Sequence, residues 1–241
     1  MSLTASDIVV VTLAQGKNYQ ENVQLGVENK RAYCQQHGYD FIYCEDSLDT
    51  SRHPAWSKIL LILKAFENPN YKWVVWLDAD TLIMNQDIPL EDLVDEKYNL
   101  VIAKDFNGIN SGVIFMRNCE WSDQFLTQAY THTEFLSHPC FEQLAISVEL
   151  EKPEFDQHAK IVPQRLFNSY PIESVSRLNS TYQPGDFLIH FARHREGSLV
   201  NLFNKYSQLV LNNRDLVTLD QYLAIMDFNS LLFIQIIMRV I

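Results

Sequence analysis

Residues 73–85 read WVVWLDADTLIMN, five apolar residues running straight into Asp78-Ala79-Asp80. An unbroken apolar run of strand length suits a strand covered on both faces of a sheet. Its end carries two carboxylates on alternate positions, so both emerge on the same side. Neither is stable buried without a partner. Two anions this close call for a cation, and hard oxygen ligands with room for phosphate oxygens favour Mg2+ or Mn2+. Taken alone, two acids after a strand are equally well read as a solvated turn, so the surrounding pattern has to decide.

Upstream, residues 8–13 are β-branched and continuous, residues 15–18 form a polar loop, and residues 19–37 space Val23, Val27, Ala32 and Cys34 as an amphipathic helix with Gly38 at its C-cap. Residues 39–44 read as a second strand. Pro54 opens a helical stretch with Trp56, Ile59, Leu60, Leu63 and Phe66 that stops before Pro69. Strand, helix, strand, helix, strand is the order of an α/β fold: a mostly parallel, doubly wound sheet flanked by helices, with ligands at the carboxyl ends of strands, where Asp78 and Asp80 sit. Downstream, residues 99–103 and 112–117 predict two short strands, and residues 121–135 and 139–150 two helices, with a break at Pro153. Residues 161–187, rich in Pro, Asn and Ser, predict a long irregular loop region over the site and an acceptor-facing surface.

The chain has 241 residues, 47% hydrophobic and 20% charged, with a formal net charge of -11. That length favours one domain with an appendage, and the charge repels nucleic acid and anionic lipid, so no nucleic-acid partner is expected. Cys34, Cys44, Cys119 and Cys140 form no CxxC pair and read as helix or strand interiors, buried thiols of a reducing compartment, with a bridge left open by spacing. The N-terminus lacks a signal peptide's basic and apolar regions, which predicts a cytoplasmic protein without a membrane span. Residues 229–241 are nearly all apolar but short of the ~20 that cross a bilayer. They are expected to dock on the domain, on a second copy, or on a further C-terminal domain.

An apolar strand followed by DxDxT also resembles the nucleophile motif of haloacid-dehalogenase-type phosphatases, with Asp78 attacking phosphorus. That family expects a later acidic GDxxxD-like motif, whereas Gly185-Asp186 runs into FLIH without a second acid.

More specifically, NKRAYCQQHGYD (29–40), HPAWSKILLI (53–62), WVVWLDADTLIMN (73–85), NSGVIFMRN (110–118) and GDFLIHFAR (185–193) resemble, in order, the retaining galactosyl/mannosyl/xylosyltransferases of glycosyltransferase family 34. A weaker similarity extends to family 8. The resemblance implies a GT-A-type (Rossmann-like) domain over residues 1–200, with a nucleotide-sugar half at 1–117, an acceptor-side half at 118–200, and a helical, apolar C-terminal appendage at 201–241. It implies Mn2+ or Mg2+ held by Asp78, Asp80 and His190, although from spacing alone His190, which follows an apolar strand at 187–189, is a core or surface histidine. It places Asn110, Glu142 and Gln143 around the transferred sugar, with Ala79, Ser111 and Gly112 lining the donor; the family often has aspartate where this chain has Glu142. By spacing alone, Glu142 and Gln143 equally form an exposed pair at a helix start. Lys58 and a basic residue after the late histidine, Arg195 or Arg193, would neutralise the diphosphate. For the base, the loop after the first strand offers Thr12, Asn18 and Tyr19, though Tyr19 equally serves as a helix staple.

The activity so implied is transfer with retention from a UDP-sugar to a glycan or glycoprotein. Glu142 is the only candidate nucleophile for a double displacement. A sugar-nucleotide or glycan-binding protein without turnover is the alternative from another class. Eukaryotic members usually carry a membrane anchor, so a bacterial or viral protein, or an excised domain, is expected.

Overall fold

Ile8–Leu13 (β1) and Trp73–Leu77 (β3) are buried along their whole lengths, as their unbroken apolar sequences demand. The fold is seen in a computed structural model that describes residues 3–174, 180–194 and 196–210. Between the two strands the chain forms Lys17–His37 (α1), Asp40–Cys44 (β2) and Ser57–Phe66 (α2). After β3 come Thr81–Ile83 (β4), Leu100–Asp105 (β5), Gly108–Arg117 (β6), Glu120–Thr131 (α3), Phe141–Leu150 (α4) and the single turn Pro153–Asp156 (α5). Ala159–Pro163 (β7), Leu188–His190 (β8) and Glu196–Ser207 (α6) complete the described chain.

Six strands form one sheet in the order β2-β1-β3-β6-β5-β7, and β4 pairs with β8 in a separate two-stranded ribbon. Three of the five pairings in the main sheet are parallel; β6 runs antiparallel to both neighbours. The expected mostly parallel α/β sheet is therefore present, with one reversed strand inside it. Period-two alternation divides its side chains between two layers. Val9, Val11, Val74, Trp76 and Ile114 meet Trp56, Ile59 and Ile62 of the α2 side, together with Phe125 of α3 and Ile146 of α4. Ile8, Val10, Val75, Leu77 and Phe115 face Tyr33 and Cys34 of α1 with Phe167 and Leu188. A third apolar cluster joins Val23 and Val27 of α1, Ala79 and Leu82, Ile189, and Leu199, Leu202, Phe203 and Tyr206 of α6.

Several boundaries differ from those the sequence predicts. β6 begins at Gly108 rather than 112, because Phe106 and Asn107 turn a hairpin in which Gly108 holds a φ of 118°. α3 ends at Thr131 rather than 135. Residues 161–187 are not wholly irregular: β7 adds an edge strand parallel to β5, and of its residues only Val162 is buried, so it lacks the apolar run that marks the inner strands. β4 is three residues long, too short for a periodic signal, whereas β8 falls one residue beyond the predicted strand at 187–189. Of the four cysteines only Cys34 is buried; Cys119 and Cys140 sit at helix N-termini, and all four are free thiols. No helix of the described residues is long and apolar enough to cross a membrane. Residues 229–241, expected to dock, lie outside the described residues.

α3 and α4 are tied by a buried charge. Glu149, 1% exposed, accepts hydrogen bonds from His132 Nε2 (2.6 Å) and Lys152 Nζ (2.7 and 2.8 Å). Burial opposes the charged imidazole, but the hydrogen bonds to Glu134 and Glu149 outweigh it and raise the His132 pKa above its ordinary value. A group whose pKa is raised on folding stabilises the fold fully below its unfolded pKa, near 6.5, and loses that contribution as pH climbs through the folded value. The unfolding temperature should therefore fall from about pH 6 towards pH 8.5 in a component that His132→Ala removes. At pH 6 the variant should cost about 1–3 kcal/mol. Parallel stability profiles for the two proteins over this range would refute the role assigned to His132.

Candidate active site

The Asp78 N–H donates to the Gly112 carbonyl at 2.8 Å, so the ends of β3 and β6 are joined where the acidic residues begin. The next turn is held from several sides. The Asp78 carbonyl accepts from the Thr81 N–H (3.2 Å) and hydroxyl (2.8 Å), and the Asp80 carbonyl from the Phe191 N–H (2.9 Å). The Ala79 and Thr81 carbonyls accept from the Lys30 ammonium at 3.2 and 2.6 Å. With the backbone turned inward, the two carboxylates face outward.

β8 pairs with β4, Thr81 opposite His190, and this brings the histidine to the same place. Its Nε2 lies 3.4 Å from Asp80 Oδ1 and 3.7 Å from Asp78 Oδ2. Ligand atoms of Asp78, Asp80 and His190 all fall within 4.8 Å of one another, the one such cluster of acids, histidines and cysteines among the described residues. Gly112 makes the room: a Cβ there would stand 2.2 and 2.5 Å from the imidazole ring. On the far side, His190 Nδ1 meets Asn168 Oδ1 at 2.9 Å. An amide oxygen only accepts, so Nδ1 carries a proton and Nε2 is turned to the carboxylates. Burial opposes charge on the imidazole, yet Asp80, with Asp78 behind it, raises the His190 pKa. Burial likewise opposes charge on Asp80, and His190 brings its pKa below the ordinary value. Two carboxylates and an imidazole nitrogen whose partner nitrogen is tied back are a donor set that fits a divalent cation.

Beside the trio opens a cleft of about 460 Å3 lined by Leu13, Gln15, Tyr19, His53, Pro54, Ala55, Lys58, Trp76, Asp78, Ala79, Asp80 and Glu142. Its floor is a charge network. The buried Lys58 ammonium contacts the Ser111 carbonyl (2.9 Å) and hydroxyl (3.2 Å), Glu142 Oε1 (2.8 Å) and Asp78 Oδ1 (3.1 Å). Burial works against its charge, but Asp78 and Glu142 together raise its pKa. Trp76 Nε1 adds a hydrogen bond to Asp78 Oδ1 at 2.6 Å. His53 stacks on Phe141, ring centroids 3.8 Å apart, and Phe141 holds a φ of 41° at the start of α4. That strained residue immediately precedes Glu142 and Gln143.

The structure brings Tyr19, Lys58, Asp78, Ala79, Asp80 and Glu142 to one cleft, with His190, Ser111, Gly112 and Gln143 next to them. Gln143 Oε1 accepts from the Ser111 N–H at 3.1 Å. Asn110 is buried and committed to its neighbours: Oδ1 accepts from the Gly112 N–H (2.9 Å), and Nδ2 donates to Asp105 (3.1 Å) and the Tyr170 hydroxyl (2.7 Å). Thr12 is fully buried inside the sheet and does not line the cleft; exposed Asn18 does not line it either. Arg193, at a φ of 65°, lines a separate hollow of about 240 Å3 with Phe106, Tyr170, Ser174 and His194. Arg195 lies outside the described residues. Sequence reading missed Gln15, His53 and Trp76 on the cleft wall, and Asn168, Lys30 and Asp105 behind it. His53 and Lys30 stand inside motifs already quoted, whereas Asn168 has no local signal. Asp186, the acid a phosphatase would want, is spent on structure, accepting from Arg165, Ser169 and the Gln183 N–H.

The chain is similar to an alpha-1,2-galactosyltransferase of Schizosaccharomyces pombe, 25% identical over 76% of this chain and 61% of that protein. It thus spans about three fifths of the relative's length. Among solved structures, it resembles a glycosyltransferase involved in glycosylation of the major capsid of PBCV-1, with a TM-score of 0.68 and 17% identity over 82% of this chain and 98% of that one. Galactosyltransferase LgtC in complex with donor and acceptor sugar analogs gives a TM-score of 0.53 at 13% identity, over 86% and 98% respectively. At these identities the likeness is one of fold, which is GT-A. The galactosyl transferase GMA12/MNN10 family matches residues 4–101 and 93–197, nearly the whole described chain, and the chain belongs to that family.

Proposed function

We propose that the cleft takes a UDP-sugar and that the protein is a metal-dependent, retaining glycosyltransferase passing a hexose or pentose to a glycan or glycoprotein acceptor. The observation that carries this reading is the convergence of Asp78, Asp80 and His190 at the edge of a cleft whose floor pairs one lysine with two carboxylates. The galactosyltransferase name of the yeast relative supports a hexose.

In this reading Asp78, Asp80 and His190 Nε2 hold the cation, and Asn168 keeps the other imidazole nitrogen protonated so that Nε2 stays available. When bound, the cation offsets the charge of the diphosphate as it leaves. An imidazole among the ligands favours Mn2+ over Mg2+. Lys58 offsets one of the two charges of Asp78 and Glu142, and a bound cation would offset the rest, so that an anionic donor is not repelled. Tyr19 offers a ring to the base, and Thr12 and Asn18 stand on the elements that flank it. Glu142 and Gln143 close the wall on the sugar side, with Asn110, Ser111 and Gly112 beneath, and a basic residue after His190, Arg193 or Arg195, would neutralise the diphosphate. Glu142 Oε1 is occupied by Lys58 and Ser111, which favours attack by the acceptor on the same face over a protein nucleophile. Residues 1–117 would carry most donor contacts and 118–200 the acceptor side, with 201–241 as an appendage. The four free thiols suit a reducing compartment such as the cytoplasm.

Calorimetry with a nucleotide panel tests the donor. UDP with Mn2+ should bind at least about tenfold more tightly than ADP, GDP or CMP, since each polar group left unpaired by a wrong base costs roughly 1–3 kcal/mol. Equal affinity for all four, or tight UDP binding in excess chelator, would remove the reading. Asp80→Asn and His190→Ala should each abolish the Mn2+-dependent part of UDP binding while leaving the fold intact. Gly112→Ala should do the same by displacing the imidazole.

Because the ligand is the neutral imidazole and Asp80 raises its pKa, protons should compete with the ion as pH falls through that value. Mn2+ affinity should drop by up to about tenfold per pH unit there. A pH-independent affinity between about pH 8 and 6 would show that His190 is not a ligand.

A further inference from the structure

Lys30 is completely buried on the inner face of α1, and among the described residues it has no carboxylate within salt-bridge distance and lines none of the cavities described above. Burial lowers the Lys30 pKa to about 7 against the pull of Asp80 and Asp78, and an amino group in such a place is costly unless its protons find acceptors. It finds three: the carbonyls of Gly26 (3.2 Å), Ala79 (3.2 Å) and Thr81 (2.6 Å). Two of these belong to the residues immediately before and after Asp80. One turn back, Gly26 faces the same segment so closely that a Cβ would stand 2.8 Å from the Ala79 carbonyl and 2.7 Å from the Phe203 ring. Asn29 continues the grip, its Nδ2 donating to the Ile83 carbonyl (3.1 Å) and its Oδ1 accepting from the Ile83 N–H (2.8 Å).

Residues 26, 29 and 30 share one helix face, since positions three and four apart are neighbours on a helix. What they hold is backbone only, from Ala79 to Ile83. A methionine at position 30 would fill the same volume at less cost but leave two carbonyls of the acidic turn unpaired. The expense of burying this amino group is therefore explained by what it fixes.

We infer that Lys30, seconded by Asn29 and by the absence of a side chain at Gly26, is a positioning residue that sets the separation and direction of the Asp78 and Asp80 carboxylates. The inference rests on the reading that these acids and His190 hold a divalent cation. It predicts that cation affinity depends on a side chain that never touches the ion.

The test uses the full chain and Mn2+ alone, followed by electron paramagnetic resonance titration, with unfolding temperature measured in parallel in chelator. Lys30→Met should lower Mn2+ affinity by about tenfold or more, the usual cost of losing a group that orients a ligand, and should broaden the spectrum of the bound ion. Asn29→Ala, at a half-buried position that tolerates truncation, should weaken binding in the same direction and carries the comparison if Lys30→Met does not fold. Tyr33→Phe is the control for general loosening: it removes the 2.6 Å hydrogen bond to the Ile88 carbonyl from the next turn of α1 without touching residues 78–83. It should leave Mn2+ affinity and spectrum unchanged. Asp80→Asn separates the two layers of argument, because if it keeps wild-type Mn2+ affinity the trio is not the ion site at all. If Asp80→Asn abolishes binding while Lys30→Met and Asn29→Ala bind as the wild type does, the positioning role is overturned. An equal loss in Tyr33→Phe would overturn it too.

Discussion

Two carboxylates on alternate residues at the end of a strand buried on both faces are the constraint around which this protein is built. At about 4 Å and an effective dielectric near 20, two like charges repel by roughly 4 kcal/mol, a large fraction of what keeps a domain folded. Each neighbour answers part of that. Trp76 gives a hydrogen bond to Asp78, Lys58 stands 3.1 Å from it, His190 leans on both acids, and the Lys30 amino group holds the turn from behind. Without them one acid would take up a proton, and a protonated acid is a poor ligand for a hard cation.

The reversed strand in the sheet explains how so many groups arrive together. Because β6 runs antiparallel to β3, with Leu77 opposite Val113, its opening residues Asn110, Ser111 and Gly112 lie beside Asp78. In an all-parallel sheet that end would receive only strand exits. Here it receives the exits of β1 and β3, the entry of β6, and the N-terminal turns of α1, α2 and α4, which bring Tyr19, Lys58 and Glu142. Helix N-termini carry partial positive charge, so their gathering suits an anionic guest.

What could be read from the sequence follows from this geometry. The inner strands β1 and β3 announce themselves because burial on both faces forces a continuous apolar run, and Asp78 and Asp80 stand out because acids seldom follow such a run. β4 and β7 stayed hidden, the first for being three residues long and β7 for being an edge with one buried residue, whereas β8 was legible from its apolar residues. Gly112 was placed by its motif, yet its reason, the imidazole packed on its Cα, appears only in three dimensions. Asn168 and Lys30 act through hydrogen bonds to partners 22 and 49 or 51 residues away, and no local periodicity encodes such contacts. Thr12 and Asn18 show the reverse limit: they lie on the right elements, but the alternation of β1 and the phase of α1 turn them away from the cleft.

The ribbon of β4 and β8 has a consequence for how the chain comes off the ribosome. Asp80 is joined to Phe191, and Thr81 to His190, across more than a hundred residues of intervening chain. Domains generally condense only after such distant segments have emerged, and contacts of this sequence separation form late. Until residue 190 is available, the acidic pair lacks its histidine and has only partners from nearer in the chain, such as Trp76 and Lys58. The cluster of Asp78, Asp80 and His190 is therefore completed late in folding, and the closing of a ribbon three residues long marks the moment at which its last member arrives.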